Sequence, residues 1–152
     1  MKSSRRDDRG IAFLTSQVGA LSSKLWNQAV EEIGIDSRTA MLLWNVSIAE
    51  GRSQRELAAV LRLPASRIVD MVDAMEERGW IVRRIRAGDR RTRELHLTPA
   101  GRKAVNRVMA AGAAHERRFT TGLAPAEKTE LERLLGKLSV ARGLSSTSHP
   151  DF

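Results

Sequence analysis

The chain has 152 residues, a formal net charge of +8 at pH 7 and no cysteine, which excludes disulfides, thiolate redox sensing and cysteine-based zinc sites. Its length suits one domain with a real core, or a compact unit carrying an accessory layer used in pairing, rather than two unrelated domains. No signal peptide and no apolar run long enough to span a bilayer is evident, so a cytoplasmic protein without membrane contact is expected.

Residues 1–9 are charged and non-periodic and are expected to form a flexible tail. From Gly10 to Ile33, apolar residues at Ile11, Leu14, Val18, Leu21 and Leu25 mark a helical stripe that Gly34 stops. Asp36 is the expected N-cap of a second helix, with Ile35 before it as a staple and Ala40, Leu43 and Val46 inward, up to Gly51. Ser53-Gln54-Arg55-Glu56 has the form of a capping box, in which the serine hydroxyl and the glutamate each satisfy a free amide of the first turn. The short helix it opens directs Leu57, Val60 and Leu61 inward and breaks at Arg62-Leu63-Pro64, because proline disfavours helix in the residue before it. The next helix begins at Pro64 or Ala65, buries Ile68, Met71, Val72 and Met75, and ends at Gly79. Two short helices around a three-residue break fit a helix-turn-helix, whose second helix enters a major groove. Only its first turn, Ala65, Ser66 and Arg67, is small and basic enough to read bases, since Asp70, Asp73 and Glu77 make the rest of that face acidic. Alternatively, Ser66 supplements the cap and Arg67 pairs with Asp70.

Residues 79–101, GWIVRRIRAGDRRTRELHLTPAG, read as a basic β-hairpin, or wing, between two helices. Ile81 and Ile85 alternate with basic positions, Leu95 and Leu97 form the inward face of the returning strand, and Gly88 permits the turn. Arg83, Arg84, Arg86, Arg90 and Arg91 crowd one ribbon, a self-repulsion that suits a polyanion. Asp89 and Arg91 are placed to hold one another across the tip. That leaves Arg90 projecting as minor-groove arginines do. The charge is local: Gly51 to Arg107 holds fourteen Arg or Lys against seven Asp or Glu, +7 of the total +8. Thr98-Pro99 then caps a long helix to about Phe119, with Ala104, Val105, Val108 and Met109 apolar. A last helix from about Pro125 shows Leu131, Leu134, Leu135 and Leu138, a stripe too apolar to leave exposed. Residues 145–152 lack periodicity and are expected to form a second flexible tail.

The wing resembles that of the MarR family of bacterial transcriptional regulators, in the pattern Asp-x-Arg followed by Leu-Thr-x-x-Gly. Here these are Asp89, Arg91, Leu97, Thr98 and Gly101, preceded by Glu77, Gly79 and Arg83. More weakly, the likeness extends over residues 10–143 in helix order. It implies a mainly α fold with a small β-hairpin: a winged helix-turn-helix over 35–98 and a helical dimerisation region over 10–34 and 99–144. It also implies a homodimer with interlocked first and last helices, DNA contacts from Ser66, Arg67 and the wing's Arg90, and a small-molecule effector in a crevice between the two layers. Trp26 and Trp44 lie on the helices that form that crevice. They either line it or fill the core, the commoner role of lone helical aromatics. The chain departs from the family in having Pro64 and Asp70 where a capping and a basic residue are usual, and Ala124 where a serine caps the last helix.

The expected function is that of a sequence-specific, double-stranded DNA-binding regulator, a repressor acting as a homodimer on an inverted repeat. Its expected DNA-contact set is Ser53, Gln54, Ala65, Ser66, Arg67, Arg83, Arg84, Arg86, Asp89, Arg90 and Arg91. The competing expectations are a non-specific architectural DNA binder and a winged-helix protein-interaction module. With no tyrosine, three Phe and three Trp, an array of stacking aromatics for single strands is poorly supported. No carboxylate pair, Ser/His/Asp set or glycine-rich phosphate loop occurs, and His96, His115 and His149 have no chelate spacing. An enzyme, a metal and a cofactor are therefore not expected.

Overall fold

The computed structural model describes residues 10–144; both expected tails, 1–9 and 145–152, lie outside the described residues. In chain order these form α1 (Gly10–Glu31), α2 (Ser37–Ile48), α3 (Gln54–Leu61), α4 (Ala65–Glu77), β1 (Ile81–Arg86), β2 (Asp89–Leu97), α5 (Pro99–Phe119) and α6 (Pro125–Ala141). The expected mainly α architecture with one hairpin is the one observed. Among the described residues no helix is long and apolar enough to cross a membrane.

Local chemistry sets each boundary. Asp36 caps α2 by accepting from the Thr39 amide at 2.9 Å, and the Ser53–Glu56 capping box opens α3. Helix α4 ends in a Schellman motif: the Trp80 amide donates to the Met75 carbonyl and Gly79 to Glu76, with Gly79 at φ +68°. Helix α3 ends the same way, but its left-handed residue is Arg62, at φ 54°, a conformation that glycine adopts without the Cβ penalty. Thr98 caps α5 by accepting from the Gly101 amide at 3.0 Å, while its own hydroxyl donates to the Gly79 carbonyl at 2.6 Å. One side chain thus joins the end of α4 to the start of α5.

A single core gathers Leu42, Leu43, Leu57, Ile68, Val72, Met75, Ile81 and Leu95, each nearly inaccessible, with Ala104 and Val108 of α5 closing it. The hairpin is antiparallel, pairing Ile81 with Leu97 and Ile85 with Arg93, and an irregularity follows Ile85. The segment before α3 adds a short third edge, with the Gly51 amide on the Leu95 carbonyl at 3.0 Å and the Leu95 amide on the Arg52 carbonyl at 2.9 Å. Ile85 departs from the expected inward alternation. Ile81 is buried but Ile85 is 56% exposed, because the ribbon outruns the helices that cover its root.

Candidate nucleic-acid interface

Helix α4 turns Ile68, Val72 and Met75 into the core, so the 3.6-residue period sets Ser66, Asp70, Asp73 and Glu77 along the opposite line. Ala65, Ser66 and Arg67 are exposed in its first turn, and Arg67 pairs with no described residue, Asp70 included. With Pro64 at the N-cap there is no side-chain hydrogen bond to the first-turn amides. Val69 is also exposed beside this line.

Two of the five wing arginines are not free cations on an exposed ribbon as expected. Arg83, with only 18% of its side chain exposed, bonds to Asp73 and Glu76 of α4 and donates to Gln54 Oε1 at 3.4 Å. Arg86 donates to Glu94 at 2.9 Å, to Glu56 at 2.8 Å and to the Gly51 carbonyl at 3.1 Å. Acids of α3, α4 and β2 therefore surround both guanidinium groups, which clamp the wing root to the helix-turn-helix. The Arg86 hydrogen bond, aided by the Ser53 amide, holds the Glu56 carboxyl down at about 2. Arg86 and then His96 lower Glu94 as well.

Ser53 and Gln54 are likewise engaged at this junction. The Ser53 hydroxyl accepts from the Glu56 amide at 3.2 Å, and the Gln54 side-chain nitrogen is buried without a partner. At the tip, Asp89 holds Arg91 through its backbone rather than through the expected pairing of side chains: the Arg91 amide donates to Asp89 at 3.0 Å and the Thr92 hydroxyl at 2.6 Å. These bonds, Thr92 first, lower the Asp89 carboxyl. The guanidinium groups of Arg84, Arg90 and Arg91 are consequently exposed with no described partner. Arg93, not singled out in the sequence, is exposed with them and likewise has no described partner.

Between α1, α2 and α5 lies a cavity of about 490 Å³ lined by Trp26, Met41, Trp44, Val108, Met109 and Glu116 among others. Both tryptophans thus border open space. The Ser37 hydroxyl at its edge donates to Asn27, joining α2 to α1, and the Trp26 ring packs against His115 at 5.9 Å. Separately, the apolar stripes of α1 and α6 are left largely uncovered among the described residues. Helix α1 buries only Val30 and α6 buries nothing; Leu21, Leu134, Leu135 and Leu138 are 43–52% exposed. Among the described residues no group of three or more His, Asp or Glu could hold a metal ion.

A model of the MarR family matches residues 33–92. A putative transcriptional regulatory protein for the hcr operon of Thauera aromatica is 39% identical over 88 residues, 58% of this chain and 53% of the relative. The chain spans about half the length of the first curated relatives it matches. The crystal structure of a MarR-family transcriptional regulator from Rhodococcus sp. RHA1 is 30% identical over 90% of this chain and 96% of that one, with a TM-score of 0.71. A Mycobacterium tuberculosis MarR family protein in complex with DNA shares the fold at a TM-score of 0.75, with 24% identity over 86% of this chain and 98% of that one. The Thauera aromatica and Rhodococcus proteins are described as transcriptional regulators, in agreement with the expectation from the sequence.

Proposed function

The chain belongs to the MarR family of transcriptional regulators, and on that premise we propose that it is a repressor that grips double-stranded DNA as a homodimer in the cytoplasm. The carrying observation is the sorting of its cations: Arg83 and Arg86 are clamped by acids, while Arg67 on α4 and Arg84, Arg90, Arg91 and Arg93 on the wing have no partner among the described residues. Unpaired guanidinium groups on two adjacent projections suit a duplex, whose phosphates they neutralise with release of counterions. Ser66 and Arg67 read the major groove, with the uncapped first-turn amides of α4 facing phosphate. Arg90 enters the minor groove from the wing tip.

The uncovered leucines of α1 and α6 supply the dimer contact, and twofold symmetry then demands an inverted repeat with half-sites about 34–36 Å apart. Residues 35–98 act as the reading unit, and 10–34 with 99–144 as the pairing unit. The cavity lies where the two meet. A ligand filling it shifts α2 relative to α1 and α5 and changes the spacing of the two recognition helices, a coupling of order 1–3 kcal/mol. The test is titration of Arg90→Ala against the chain's own promoter inverted repeat at several salt concentrations. The expected result is a loss of about tenfold or more, with a shallower salt slope. Unchanged affinity and slope would remove the wing from the mechanism, and equal displacement by any competitor duplex would leave a non-specific binder.

A further inference from the structure

We propose that the cavity between α1, α2 and α5 selects a flat aromatic ligand bearing a positive charge over the matching aromatic carboxylate. The inference deepens the effector reading above and rests on it. Ten residues line the cavity: two indoles, Trp26 and Trp44; the apolar Ala40, Met41, Val108, Met109, Gly112 and Ala113; and Ser37 and Glu116. None of the ten is Lys, Arg or His, so an anion entering this space gives up hydration without meeting a cation in return. The Ser37 hydroxyl already donates to Asn27. Among the described residues the one charged group of the lining is the Glu116 carboxylate, which makes no hydrogen bond or ion pair with a described residue. Arg117 and Arg118 follow it on α5 but lie outside the lining.

Indole faces attract cations through the ring quadrupole, tryptophan most strongly, and the two thioethers suit an aromatic ring. Two tryptophans, two methionines and one unpaired carboxylate around about 490 Å³ thus match an aromatic ammonium or amidinium in shape and sign. Pockets of this size accept drug-sized molecules.

The full-length chain is titrated with a matched pair of probes, 1-naphthylmethylammonium and 1-naphthoate, following quenching of tryptophan fluorescence. The ammonium is expected to bind about tenfold tighter, and Glu116→Gln to cut that preference to about threefold, the part the indole faces supply. Glu116 is exposed, so that variant is expected to fold, as circular dichroism will confirm. Equal or tighter binding of the carboxylate, a preference undiminished in Glu116→Gln, or no saturable quenching by either probe would each overturn the proposal. Promoter binding is measured in parallel. A preference for the cation without any change in DNA affinity would uphold the ligand class and defeat the effector reading instead.

Discussion

Gly101 shows how narrow the tolerance is at single positions. A Cβ built on it would lie 1.9 Å from the Trp80 carbonyl oxygen, a backbone atom that cannot step aside. The glycine of the Leu-Thr-x-x-Gly pattern is therefore a steric requirement: α5 starts where the backbone after α4 passes. Gly101→Ala is expected to cost about 3 kcal/mol, the upper range for overpacking, lowering the melting temperature by roughly 6–12 °C. A melt within 2 °C of the parent, roughly 1 kcal/mol or less, would show that the join yields. The family pattern marked this residue, whereas local position marked Thr98 and Asp36, because caps act within a few residues. Arg83 and Arg86 misled for the opposite reason. Their partners Asp73, Glu76 and Glu56 lie on separate helices, so a count of charge along the chain saw an open basic ribbon where the fold makes two ion-pair clamps.

Among the elements, boundaries were legible wherever a capping side chain, a glycine or a proline marked them, and α5 begins and ends where Thr98-Pro99 and Phe119 placed it. The third edge of the hairpin, from Gly51 and Arg52, was not legible, since pairing by a segment too short to alternate leaves no period to read. The junction of α3 with the wing has a distinct pH signature. Glu56 is lowered from 4.5 to about 2, so its bond to Arg86 contributes stability above the ordinary carboxylate value, lost as pH falls through about 2. An NMR titration is expected to place the Glu56 midpoint near 2, and Glu56→Gln to remove that step. A midpoint near 4.5 would mean that the clamp is open in solution.

The whole molecule leaves its first and last helices half-wrapped, and this was legible from leucine spacing alone, though the identity of the cover was not. If a second copy covers them, Leu134→Glu with Leu138→Glu is expected to give a folded monomer by sedimentation. Its affinity for the inverted repeat should fall at least about a hundredfold, as paired engagement is lost. A dimer that survives both charges would place the pairing surface elsewhere. The two tryptophans of the cavity were legible only as aromatics on adjacent helices; Trp26 both packs against the core and lines the cavity, while Trp44 lines it 38% exposed, an outcome set by how three helices meet. One further consequence comes from the strand β2, which is hydrogen-bonded on both edges at Leu95 but on one edge only toward Asp89. The hairpin is a cantilever, stiff at its root and compliant at its free end. On the duplex reading proposed above, the doubly paired root would set how far the arginine tip stands from α4, and the singly paired end would be the part left to adapt to a groove.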